Sequence, residues 1–283
     1  MRDNTEIGVL GCGRIGSAFV RGLKEGGHVP AERIIGSVQH QSSIECVKEL
    51  GIRATTNNLD LKEVDMLLLA TEPDNAMAAL AELRGYVQPN TVIISTVTGR
   101  TIAELIEASG HDRIVRIMPN TAIEVGKSVT GWCASASLSD QQRQDVIDII
   151  RSVSIYSIEV TQEQDMAKIT AAFACGPAWV LQFIKYYKDA CVHIGIKHDQ
   201  SLLGVLATIE GTIALIRHTQ KTAPHEACAH PDVLTDCVRT PGGATSEGMV
   251  ASIVHGFGSA LVLMITAAYE KIERIAKRNQ SSK

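Results

Sequence analysis

Two short segments carry residue types whose spacing could do chemistry. Thr240-Pro241-Gly242-Gly243-Ala244-Thr245 interrupts an apolar, helix-patterned C-terminal half with small hydroxyls and free backbone amides. The proline fixes the entry angle and the glycines let the backbone approach a ligand closely. A helix expected to start near Thr245 then turns its positive end toward any bound anion. This is the chemistry of a seat for a small carboxylate. The second segment, Gly11-Cys12-Gly13-Arg14-Ile15-Gly16, has the glycine spacing that cradles a dinucleotide pyrophosphate.

That cradle needs a strand before it and a helix after it. Glu6-Ile7-Gly8-Val9-Leu10 is the apolar run that supplies the first, and residues 17–23 have the amphipathic pattern of the second. Gly11 allows the tight turn, Gly13 the approach of the pyrophosphate and Gly16 close packing of helix on strand, with Arg14 and Ile15 opening the helix. A second strand at residues 33–37 should end beside the adenosine ribose, where Val38-Gln39-His40-Gln41 follow Ser37 instead of an acidic residue. The missing carboxylate favours NADPH, with NADH also admitted because no arginine grips a 2′-phosphate. Ser37, Gln39 and His40 offer donors there, or form a solvated loop.

Further strands are expected at residues 65–70, 91–95 and 113–118, whose unbroken apolar runs suit a parallel sheet buried on both faces. Ligands in such sheets collect beyond the carboxyl ends of the strands, which points to Thr71-Glu72-Pro73, Val97-Thr98-Gly99 and Pro119-Asn120-Thr121. Ala70, Pro73, Thr98, Gly99 and Asn120 at these strand ends, together with Asn58, are the remaining expected cofactor contacts.

The 283 residues, 45% apolar and 20% charged, suffice for two domains. The pattern changes from strand-and-helix to helix alone near residues 158–163, giving a Rossmann-type α/β domain over 1–160 and an all-α domain over 161–283. A net charge of −4 without a basic face argues against nucleic acid. The uninterrupted apolar stretches, such as 257–268, look too short for a bilayer, and residues 1–6 too polar for a leader. Seven scattered cysteines without close pairs fit reduced thiols and a cytoplasmic address. His225, Cys228 and His230, near His218 and Cys237, match no common zinc spacing, so no metal site is expected.

In the second half, Phe257, Leu261, Ile265, Ala268, Ile272 and Ile275 fall on one helical face. Helices without a sheet beneath them need another apolar surface, which makes a two-fold homodimer the expected assembly. Gly176-Pro177-Ala178 should open a new helix, and Cys175 before it reads either as a small packed residue or as a thiol near a helix terminus.

Taken together, Gly11 to Gly16, the Pro73 turn, Ser95 with Gly99, Met118-Pro119-Asn120-Thr121, Gly176-Pro177-Ala178 and Pro241-Gly242-Gly243-Ala244-Thr245 resemble the pyrroline-5-carboxylate reductase family nearly end to end. The resemblance implies NAD(P)H-dependent reduction of a cyclic imine carboxylate, 1-pyrroline-5-carboxylate to L-proline in proline biosynthesis, by an intertwined helical dimer that often assembles further. It implies that Thr245 bonds the ring nitrogen while the Gly243 and Ala244 amides and Thr240 hold the carboxylate. The chain departs from the family pattern where Glu72 replaces a lysine, where Ala174-Cys175-Gly176-Pro177-Ala178-Trp179 stands for Gly-Ser-Gly-Pro-Ala-Tyr and so loses the serine hydroxyl and one glycine, and where Arg239 replaces a small hydroxyl residue. The stretch leading into the loop, residues 222–237, is also longer than the family's. Cys175 and Arg239 accordingly join the expected substrate contacts, and a different cyclic imine acid or a non-catalytic NADP-binding regulator stand as alternatives.

Overall fold

The computed structural model describes residues 4–223 and 225–281. Residues 1–3, part of the segment read above for a leader, and Pro224, part of the long approach to the loop, lie outside the described residues. The chain divides into two compact units, Met1–Pro177 with Ala268–Lys283, and Ala178–Ala267.

The first unit carries, in order, β1 (Ile7–Leu10), α1 (Arg14–Glu25), β2 (Ile34–Ser37), α2 (Ile44–Lys48), β3 (Arg53–Thr55), β4 (Met66–Leu69), α3 (Pro73–Ala81), β5 (Val92–Ser95) and α4 (Ile102–Ser109). It continues through β6 (Ile114–Met118), β7 (Ser128–Ala134), α5 (Asp140–Arg151), β8 (Ser154–Glu159) and the short α6 (Met166–Ile169). The eight strands lie in the order β3-β2-β1-β4-β5-β6-β7-β8. Pairing is parallel except between β6 and β7. The Rossmann-type α/β sheet expected from the apolar runs is therefore present.

Alternate residues of the central strands face opposite layers, as a two-unit side-chain period requires. Ile7, Val9, Met66, Leu68, Val92 and Ile94 join one core with Phe19 and Leu23 of α1 and Val146 and Ile150 of α5. Leu10, Leu67, Leu69 and Ile93 join the other with Leu80 of α3 and Leu105 of α4.

Sequence reasoning finds neither β3 nor the last two strands, because they lack a continuous apolar run. In β7 the reason is visible at Gly131, where a Cβ would stand 2.2 Å from Ile169 Cγ2 of α6. A small residue is required where a helix lies against the strand, so the periodic signal is interrupted. β8 pairs only with β7 and leaves Ile155 and Tyr156 more than half exposed.

After one π-helical turn at Thr170–Ala174, the chain enters α7 (Gly176–His193), with Pro177 in its first turn as expected. It continues as α8 (His198–Thr222), α9 (Pro231–Val238), α10 (Ala244–Val254) and α11 (Phe257–Ser281). One expectation is corrected here. Two helical stretches, Glu163–His193 and His198–Thr222, are long and apolar enough by length and composition to cross a membrane, and the bent pair Ala244–Val254 and Phe257–Lys277 would add a third. Uninterrupted apolar runs underestimate such helices, since a span tolerates isolated charges.

Candidate active site

The strand order reverses at β1, whose neighbours are β2 and β4. A crevice opens beyond the carboxyl ends of strands at such a switch point. Here it is a cleft of about 760 Å³ lined by Gly11, Cys12 and Gly13 after β1, Ser37 to His40 after β2, and Ala70, Thr71 and Glu72 after β4. Leu10, the hydroxyl residues Ser43 and Thr56, and Asn58, Asn75, Ala78, Ala79 and Glu82 also line it.

The glycine turn is built as its chemistry demands. Gly11 has φ +90°, a left-handed value suited to glycine, and a Cβ there would lie 2.6 Å from Thr71 Cγ2. The Gly11 and Cys12 amides donate to Ser37 O at 3.1 and 2.8 Å, tying the turn to the end of β2. Gly16 is equally constrained, since its Cβ would meet Gly11 O at 2.7 Å and Val9 Cγ1 at 2.8 Å. Gly13 differs: a Cβ added there meets nothing within 4 Å. It caps α1 without a side-chain hydrogen bond, so the helix presents its first amides across open space. These residues fit a pyrophosphate. Beside them, Thr71 Oγ1 is a buried hydroxyl without a protein partner among the described residues.

At the β2 end, Ser37 Oγ donates to Asn58 Oδ1, and Asn58 Nδ2 donates to Glu82 Oε2 at 2.6 Å. Glu72 caps α3 ahead of Pro73 without making a capping bond. Burial raises the pKa of the Cys12 thiol, so it sits in the turn as a neutral packed group.

The other cofactor candidates lie elsewhere. Arg14 is exposed and paired with Glu124 at 2.5 Å; neither it, Ile15 nor Pro73 lines the cleft. Thr98 and Gly99 line a second cavity of about 270 Å³ with Thr101, Arg116, Glu163 and Thr170. At its wall Glu163 Oε1 accepts from Arg116 Nη1 at 2.5 Å and from the Ile102 amide at 2.7 Å. Asn120 holds backbone: its Oδ1 accepts from the Ala122 amide at 3.0 Å and its Nδ2 donates to Phe173 O at 3.1 Å. Asn75, Ala78, Ala79 and Glu82 are lining residues that sequence reasoning missed, although their spacing places them on one helical face.

In the second unit, α9 ends at Arg239 and the chain turns through Gly242 at φ +69°. The Gly243 amide donates to Thr240 O at 2.9 Å, and the Ser246 hydroxyl donates to the same oxygen at 2.9 Å. A Cβ on Gly243 would stand 2.2 Å from Thr240 Oγ1, so a larger residue there would turn the Thr240 hydroxyl out of its present position. Gly243 caps α10 with no side-chain bond, which leaves the amides of Ala244 and Thr245 at an open helix terminus. Thr240, Gly243, Ala244 and Thr245 are thus brought together. Arg239 is exposed and reaches Asp236 at 3.4 Å. Cys175 belongs to the first unit, half-buried at the end of the π-helical turn. Cys228 lies within a short 3-10 turn, Glu226–Ala229, flanked by His225 and His230, and no group of three His, Cys, Asp or Glu side chains among the described residues is placed to hold a metal.

Known proteins with similar sequences match both halves. A family model described as pyrroline-5-carboxylate reductase dimerisation matches residues 163–275, and one described as NADP oxidoreductase, coenzyme F420-dependent, matches residues 6–99. The chain is similar to pyrroline-5-carboxylate reductase of Escherichia coli K12, 27% identical over 96% of this chain and 98% of that protein. It is also similar to the enzyme of that name from Aquifex aeolicus, 28% identical over 95% and 97%. Among solved structures, pyrroline carboxylate reductase of Plasmodium falciparum with NADP bound superposes with a TM-score of 0.82 at 27% identity, covering 98% of this chain and all of that one.

Proposed function

Because the chain belongs to the pyrroline-5-carboxylate reductase family, we propose that it reduces the C=N bond of 1-pyrroline-5-carboxylate with NAD(P)H, yielding L-proline. The observation that carries this reading is that one chain holds two anion seats of different design. One is the open pyrophosphate cradle at Gly13, and the other is the uncapped start of α10 beneath the Thr240–Gly243 turn. The bound cofactor supplies the hydride. The protein orients the reactants and stabilises charge.

The Ala244 and Thr245 amides and the positive end of α10 suit the substrate carboxylate, with the Gly243 and Thr240 turn shaping its seat. The Thr245 hydroxyl is the group assigned to the ring nitrogen, which must gain a proton as the imine carbon is reduced. Arg239, whose guanidinium makes one long contact, to Asp236, among the described residues, is the group suited to meet a second or larger carboxylate. That residue favours a second reading, a cyclic imine acid other than pyrroline-5-carboxylate. Cys175 is proposed as a substrate contact only in the sense of a small wall.

The match to a dimerisation model supports a homo-oligomer, and we read the simplest form as a homodimer joined through the helical residues 161–283. All seven cysteines are free thiols, which supports a reducing cytoplasmic address.

Nucleotide oxidation measured across pyrroline-5-carboxylate, pyrroline-2-carboxylate, piperideine and thiazoline carboxylates tests the reaction and ranks the rings. Thr245→Val should lower kcat by roughly 10²-fold, within the range of a lost proton-transfer or charge-stabilising group, and leave nucleotide affinity unchanged. Higher efficiency on another ring moves the substrate to the second reading. Full activity in Thr245→Val removes the proposed role of its hydroxyl.

A further inference from the structure

The dinucleotide cleft carries more information than the glycine turn. It is lined by two carboxylates, Glu72 at the start of α3 and Glu82 just past its end, and among its described lining residues there is no lysine or arginine. The one lining side chain able to become cationic is His40, which is exposed at the start of a 3-10 turn. Sequence reasoning looks for an acidic group directly after β2, and finds Ser37 instead. In the fold the acidic group arrives through space, from the end of α3.

The hydrogen bonds have a direction. Ser37 has one hydroxyl proton and gives it to Asn58 Oδ1, so its remaining capacity toward the cleft is as an acceptor. Asn58 in turn commits one amide proton to Glu82 Oε2. A ribose 2′-hydroxyl can donate into such a site. A 2′-phosphate is an acceptor-only group carrying negative charge: Gln39, Ser43 and Thr56 offer it neutral donors, but it would lie near the Glu82 carboxylate in a cleft that also holds Glu72, with no guanidinium or ammonium in the lining to balance it.

We propose that Glu82, presented through the Ser37–Asn58 pair, and Glu72 on the same cleft select the unphosphorylated 2′-hydroxyl of the adenosine ribose, so that this chain takes NADH in preference to NADPH. The proposal deepens the reductase reading, and it runs opposite to the preference suggested by the residues that follow β2 alone.

Direct binding tests it without turnover. Dissociation constants of the full-length protein are measured by nucleotide fluorescence for NADH and NADPH, and by competition for ADP-ribose and its 2′-phosphorylated form. The unphosphorylated member of each pair should bind at least about tenfold more tightly, and the gap should narrow as salt screens the like charges. Glu72→Lys, at an exposed position that leaves the sheet untouched, and Glu82→Gln should each strengthen NADPH binding several-fold with little change for NADH. Equal or tighter binding of NADPH by the wild type overturns the proposal. So does a loss of NADPH binding in His40→Asn, which would mean that His40 holds a phosphate. A change of both nucleotides alike in the glutamate variants has the same consequence. If NADH is preferred but no imine is reduced, the reductase reading fails and this one stands; if imines are reduced and NADPH is preferred, the reverse holds.

Discussion

Gly13 and Gly16 are three residues apart in one turn, yet a methyl group added to each should do opposite things. At Gly13 the backbone is extended, with φ −85° and ψ −151°, and the new Cβ would meet nothing within 4 Å. Alanine is a poorer helix cap than glycine by somewhat less than about 1 kcal/mol, while it restricts the unfolded chain by a similar amount. Gly13→Ala should therefore keep its Tm within about 2 °C of the wild type. The methyl instead takes the space through which the pyrophosphate reaches the α1 amides. A binding loss of roughly 30-fold, about 2 kcal/mol at 1.4 kcal/mol per factor of ten, is expected for either nucleotide. At Gly16 the added Cβ meets the Gly11 carbonyl oxygen of the turn at 2.7 Å and a packed Val9 methyl of β1 at 2.8 Å. Overpacking of this kind costs about 1–3 kcal/mol, and Tm should fall by roughly 2–12 °C. Calorimetry and nucleotide titration on both variants separate the effects. A Gly13→Ala protein that melts as early as Gly16→Ala, or that binds nucleotide like the wild type, would refute the reasoning.

Two further outcomes follow from groups outside the cradle. The Arg116–Glu163 pair is mostly shielded, with side chains 11% and 28% exposed, and Glu163 also holds the Ile102 amide at the start of α4. Glu163→Leu should cost about 3 kcal/mol by stranding the guanidinium, and adding Arg116→Met should recover part of that loss in urea melts; a strictly additive double variant would count against coupling. Burial pushes the Cys133 thiol from 9.0 up to about 11. Below pH 9 the thiol is neutral in both states; between 9 and 11 the unfolded chain ionises while the folded chain resists, so stability declines as pH rises through that window. Cys133→Ala should remove this share of the decline, and identical slopes for the two proteins between pH 8.5 and 10.5 would exclude the assignment.

The parts of the fold legible in sequence are those whose signal is local. Unbroken apolar runs mark β1, β4, β5 and β6 because these strands are buried on both faces. The glycines mark the turn because their constraints arise within a few residues. What stays hidden depends on distant partners. Gly131 is small because of Ile169, and β7 therefore reads as no strand at all. The Ser37–Asn58–Glu82 chain joins three elements separated by 21 and 24 residues, so no window of sequence contains it. Asn120 shows the converse: a residue at a strand end, where ligands collect, is occupied in holding the backbone.

The helical half poses a different problem, because its helices are apolar on more faces than one chain covers. α7 and α10 contain no buried residue, and α8 buries only Ser201 and Val205. Leu203, Ile253, Val254 and Leu263 are each about two-thirds exposed or more. Covering four such side chains contributes roughly 6–12 kcal/mol, as much as the net stability of a whole domain. Lipid could supply that cover by length and composition, but Glu210 lies at the middle of α8, and Lys185, Lys188 and Asp189 interrupt α7. A carboxylate at the centre of a span is expensive in hydrocarbon, whereas at an interface between proteins it can keep water or find a partner. The same apolar excess that lets these helices pass for membrane spans is then what a second copy of the chain would bury. Folding of this half is thereby tied to association, and the helical pattern alone cannot distinguish the two because it records how much surface must be covered and not by what.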